Sequence, residues 1–158
     1  MSKEIVDNPE PSRTPKRYRR FLLYEHTEMF NEQLQVRHIT PLTHPHAVEL
    51  FAGDGPGTYL LWKRNWQPEN MLRIDYEKSP TPLEPAATPW LYINLRQLTY
   101  SILNHSIPDI PPQLSHSFDI VIATYASDDA GLLHPMIVET VVNYFAAPSA
   151  WICTLGSR

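Results

Sequence analysis

Three of the chain's five glycines fall within five positions, in the stretch "AVELFAGDGPGTYL" at 47–60. A short apolar run leads into them and a helix-forming run follows. A strand that breaks on glycines and restarts as a helix is the opening unit of a parallel α/β sheet, because parallel strands need a crossover element between them. One glycine suffices for a turn at positive φ. Gly53, Gly55 and Gly57 at alternating positions exceed that need. They mark a loop where backbone approaches a ligand closely, at the start of a helix with N–H groups to offer.

The remaining pattern extends the same architecture. Periodic apolar residues over 18–37 (Phe21, Leu22, Tyr24, Met29, Phe30, Leu34) predict a helix. Strands are predicted at 46–52, 70–77, 90–95, 118–126 and 149–155, with helices over 57–66 and 131–147 and a helical or irregular piece through His105. "FDIVIATYA" is the strongest strand signal because of its β-branched run. Pro135 suits the first turn of the last helix. Prolines gather at 9–15, 80–89 and 108–112, which read as connections. The expected fold is a Rossmann-like three-layer sandwich around a mainly parallel sheet of about five strands. Residues 1–17 form a mobile basic arm and 18–158 a single domain.

Composition narrows the partners. No run of 18 apolar residues exists and the first twenty residues lack an apolar core, which points to a cytoplasmic protein with no membrane span or secretory signal. The single cysteine, Cys153, lies in an apolar run and reads as a buried thiol. The net charge of -4 argues against a dedicated nucleic-acid binder, yet Arg13, Lys16, Arg17, Arg19 and Arg20 cluster within eight positions. That segment either contacts nucleic-acid phosphates or is a solvated arm. His44 and His46 have metal-site spacing without a third ligand nearby, so no metal is expected.

The glycine loop lacks the third glycine of a dinucleotide fingerprint, where Thr58 stands, and the terminal Gly-Lys-Ser/Thr of a phosphate loop. Glu49 before the turn would repel phosphate and favour a cation. At this point "ELFAGDGPG" resembles the first motif of class I S-adenosylmethionine-dependent methyltransferases, in an acid-Leu-Phe-Ala-Gly-x-Gly variant found in some RNA- and DNA-modifying members. The resemblance covers roughly residues 46–155. It implies that S-adenosyl-L-methionine is held by Glu49, Phe51, Ala52, Gly53, Asp54, Gly55 and Gly57. It implies further that Asp75 (or Glu77 in its place) accepts the ribose hydroxyls, with Tyr76 and Asn94 beside the adenine.

The chain also departs from that family. After the fourth strand it carries "ATYASDD" in place of the Asp/Asn-Pro-Pro-aromatic motif of amino-group methylating enzymes, and no cysteine nucleophile stands there. Asp128, Asp129 and Tyr125 are the catalytic candidates; the two acids read equally as a cap for the following helix. The chain ends after the fifth strand, where the family adds a strand pair, so an open edge completed by a homo- or hetero-oligomeric partner is expected. Two alternatives stay open: a non-catalytic methyltransferase-like subunit, and a dinucleotide oxidoreductase.

Overall fold

A computed structural model describes the backbone of residues 19–24, 27–124 and 135–156, and the side chains of residues 30–124 and 135–153. The basic arm over 1–17 lies outside these residues, as do Tyr125, Asp128 and Asp129. The described elements are β1 (Arg19–Tyr24), α1 (Thr27–Val36), β2 (Ala47–Leu50), α2 (Pro56–Lys63), β3 (Met71–Asp75), β4 (Trp90–Tyr92), α3 (Leu95–Leu103), β5 (Phe118–Ala123), α4 (Pro135–Phe145) and β6 (Ala146–Gly156). Two single-turn 3-10 helices, Pro68–Asn70 and Pro112–Leu114, fill connections.

The strands form one sheet in the order β1-β6-β5-β2-β3-β4, and every pairing is parallel. The chain runs outward from β2 through β3 to β4, then returns to place β5 on the other side of β2. This reversal makes β2 and β5 the switch point of a doubly wound, Rossmann-like sheet. The crevice outside the carboxyl ends of these two strands is therefore where such a fold offers a ligand site.

Alternation along each strand produces the three layers. Ala47, Met71, Ile120, Ile122, Trp151 and Cys153 face one side, where Phe30 and Leu34 of α1 and Leu60 and Leu61 of α2 cover them. Val48, Leu50, Ile74, Val121 and Ile152 face the other, against Leu95 and Leu98 of α3 and Val141, Val142 and Phe145 of α4. Phe30 and Leu34 sit one helical turn apart and both are buried. Each fully buried Leu, Ile or Phe contributes about 1.5–3 kcal/mol, so the two faces together drive folding.

The N-terminal region differs from expectation. Residues 19–24 are a strand, and the helix predicted over 18–37 begins only at Thr27. The spacing of Phe21, Leu22 and Tyr24 fits a helix when read alone, but β6 offers an unpaired edge that a neighbouring segment can satisfy. β1 fills it, with Arg19 opposite Trp151 through Tyr24 opposite Gly156. The edge expected to await a partner chain is thus occupied by this chain's own β1. The other strands and helices appear where the pattern places them, with ends shifted by a few residues. No described helix is long and apolar enough to cross a membrane.

Candidate functional site at the glycine loop

β2 ends in a sharp reversal. Phe51 takes φ 54°, an uncommon value for a residue with a side chain, and Gly53 and Gly55 follow at φ 58° and 86°. The Ala52 N–H still bonds the Ile74 carbonyl at 3.0 Å, extending the ladder past β2, and the Gly55 N–H closes a turn on the Ala52 carbonyl at 2.8 Å. Pro56 then starts α2 at a position where its missing N–H costs nothing.

Glu49 organises this loop from beneath. Its carboxylate is fully buried. Oε2 accepts from the Gly57 N–H at 2.9 Å and from the Thr124 hydroxyl; Oε1 accepts from the Thr58 N–H and the Thr58 hydroxyl, both at 2.8 Å. Glu49 caps α2 from within the sheet, occupying two of the N–H groups that a helix start would otherwise offer to an anion. Burial raises its pKa above the ordinary 4.5, while the bonds from Thr124, Thr58 and Gly57 pull it back down. A Cβ on Gly57 would stand 3.0 Å from Glu49 Oε2 and from Ile122, so glycine lets the helix sit this close to β2 and β5.

Sequence reasoning missed Arg73. It lies beside Glu49 in the β2–β3 register and is 1% exposed. Its Nε donates to the Thr58 hydroxyl at 2.6 Å, its Nη2 to the carbonyls of Gly55 and Glu84 at 3.0 and 2.9 Å, and its Nη1 to the Leu83 carbonyl at 2.8 Å. Burial lowers its pKa, and the Glu49 and Glu84 carboxylates oppose that shift. Gly55 cannot carry a side chain here, because its Cβ would fall 2.3 Å from the Arg73 guanidinium. The signal in the sequence was an arginine inside the apolar strand "MLRID": a buried guanidinium demands several acceptors, and a nearby loop must supply them.

That loop is the proline-rich 79–89 segment. The Leu83 N–H donates to the Asp54 carbonyl at 2.8 Å, and the Ser79 hydroxyl donates to the Asp54 carboxylate. Asp54 therefore fastens the strap to the glycine loop.

Asp75, at the end of β3, is half-buried at the crevice. Oδ2 accepts from the Gly53 N–H and Oδ1 from the Tyr76 N–H, each at 2.7 Å. Each oxygen keeps a second lone pair. Tyr76 is exposed, and the adjacent Glu77 carboxylate raises its phenol pKa, so it stays a neutral donor at neutral pH. Asn94 caps α3, its Oδ1 accepting from the N–H groups of Arg96 and Gln97 at 2.9 and 3.1 Å, which leaves its amide NH2 to donate. It lines a pocket of about 290 Å³ with Tyr92, Gln97, Ser101 and Asp109. The structure thus gathers Phe51, Ala52, Gly53, Asp75 and Tyr76 around the β2–β3 end. Asn94 stands further along, past β4.

Among the described residues no group of His, Cys, Asp and Glu could hold a metal ion. No known family profile matches the chain, and no curated protein matches it.

Proposed function

We propose that the crevice at the carboxyl ends of β2 and β3 binds S-adenosyl-L-methionine and that the protein is a methyltransferase. The observation that carries this reading is the Glu49 carboxylate bonded to the Gly57 and Thr58 N–H groups. It places negative charge where a dinucleotide's pyrophosphate would need free donors. A cofactor with a ribose and a cationic methionine end, and no phosphate, matches that electrostatic setting; NAD does not.

Asp75 would accept from the ribose hydroxyls, since each of its two oxygens has a lone pair left open by the bonds from Gly53 and Tyr76. Tyr76 would lie along the adenine and the Asn94 amide would reach its edge. Phe51 and the 52–55 backbone would line the methionine end. When bound, this cofactor supplies a sulfonium methyl that passes to an acceptor lone pair as its C–S bond breaks and a thioether is left. The chain's own task is then alignment and exclusion of water, with removal of the acceptor's proton where needed. The basic segment 13–20 favours nucleic acid as the acceptor class.

Calorimetric titration with S-adenosylmethionine, S-adenosylhomocysteine and NAD tests the reading. Both methionine-derived ligands should bind wild type, and Asp75→Ala should weaken them at least tenfold, with NAD silent. Binding of NAD alone, or of none of the three, overturns it. Binding without methylation of any nucleic acid or protein acceptor favours the non-catalytic subunit.

A further inference from the structure

Among the described residues β4 is the outermost strand of the sheet on the side away from β1, and its α2-side face carries two aromatic rings. Trp90 and Tyr92 are stacked, with centroids 5.7 Å apart and planes within 4°. Trp90 is opposite Arg73 and Tyr92 opposite Asp75 in the β3–β4 register. The Arg73 guanidinium lies 5.4 Å from the Trp90 ring centroid. Four hydrogen bonds fix that guanidinium, so the aromatic pair rests on a rigid support and needs little ordering when a ligand arrives. Among the described residues, none from a helix lines the space over this part of the sheet. The proline-rich strap arches past it and leaves a pocket of about 300 Å³, walled by Lys78, Leu83, Glu84, Trp90 and Tyr92.

We propose that this pocket binds a nucleobase. A flat aromatic wall with a half-exposed outer ring, Tyr92 at 45%, accepts a planar heterocycle by stacking. The polar groups suit a base edge that carries both donors and acceptors. The Glu84 carboxylate is oriented by the Ala86 N–H at 2.9 Å on Oε1, and its second oxygen accepts ring or exocyclic N–H groups. The exposed Lys78 ammonium donates to a ring carbonyl. The lining carries the exposed Lys78 ammonium against the Glu84 carboxylate, and the Arg73 guanidinium beneath is already held by four hydrogen bonds. A phosphate chain gains little there, so the base itself supplies the affinity. The volume admits a nucleoside but not a duplex, and the base arrives on a free nucleotide or a single strand. This inference does not rest on the proposed methyl donor.

The test titrates the full chain with AMP, GMP, CMP and UMP and with a short single-stranded oligonucleotide, at several salt concentrations, with and without saturating S-adenosylmethionine. At least one mononucleotide should bind, and Tyr92→Ala should weaken it roughly 5- to 150-fold. Glu84→Gln, which preserves the Ala86 bond, should change the order of preference among the four bases. With about one cation in play, the logarithmic salt slope should stay below about 1. An oligonucleotide that binds tighter than the mononucleotides through the same Tyr92 identifies a single strand as the source; equal affinities identify the free nucleotide. Absence of mononucleotide binding overturns the proposal. So does Tyr92→Ala binding like wild type, or one-for-one displacement of nucleotide by S-adenosylmethionine. Nucleotide binding by a protein that ignores S-adenosylmethionine would sink the methyltransferase reading and leave this one standing.

Discussion

Glu49 and Arg73 show how two buried charges can shape a loop. Neighbours across β2 and β3, they are linked through the Thr58 hydroxyl, which receives from Arg73 and gives to Glu49. Glu49→Gln keeps the shape but sets an NH2 against a backbone or hydroxyl donor, which should cost about 1–3 kcal/mol at neutral pH. The pH dependence has a definite sign. A carboxyl held above its ordinary 4.5 binds its proton more tightly folded than unfolded. Its stabilisation is fully present below that value and is lost as pH rises through the folded-state pKa. The stability gap between wild type and Glu49→Gln should therefore narrow as pH climbs from 4.5. Urea unfolding of both proteins across that range checks it; a gap that widens with pH would mean the carboxyl is held below the ordinary value.

At the scale of elements, α2 and α3 begin in different ways. The first is capped from the sheet by Glu49, and its own N-cap, Gly55, makes no side-chain bond. The second is capped by its own Asn94. Asn94→Ala should lower stability by about 1 kcal/mol whatever else the residue does, measured as a shift in the urea midpoint at unchanged slope. If Asn94 also meets the adenine, the same variant weakens S-adenosylmethionine binding beyond any effect on folding, which separates its two roles. The strands were legible where burial on both faces makes a continuous apolar run, as in β2 and β5. β1 was not, because its six residues carry spacing compatible with a helix and only the vacant side of β6 selects the extended form. Asp75 was legible as an acid closing a strand. The strap was readable only as a proline-rich loop, since its bonds to Asp54 and Arg73 join residues 25 and more positions apart or on different elements.

For the whole molecule, the sheet has two edges of unlike character. β4 is three residues long, and short edge strands resist edge-to-edge pairing. The other edge is β1, whose six residues pair along the eleven-residue β6 and keep β6 from being an edge itself. Deleting residues 1–26 should expose β6 and produce concentration-dependent oligomers, seen by size-exclusion chromatography with light scattering. A deletion variant that stays monomeric with an unchanged unfolding midpoint would show that β1 does not protect the sheet.

The sequence alone determined the α/β class, the order of most elements and the position of the glycine loop, because these follow from local apolar periodicity and from the conformational freedom of glycine. Tertiary structure decided what the charged residues do. Which donors Glu49 meets, which acceptors surround Arg73, and which segment lies beside β6 all depend on contacts between distant parts of the chain. Local pattern carries no record of which donors and acceptors will meet once the sheet is assembled.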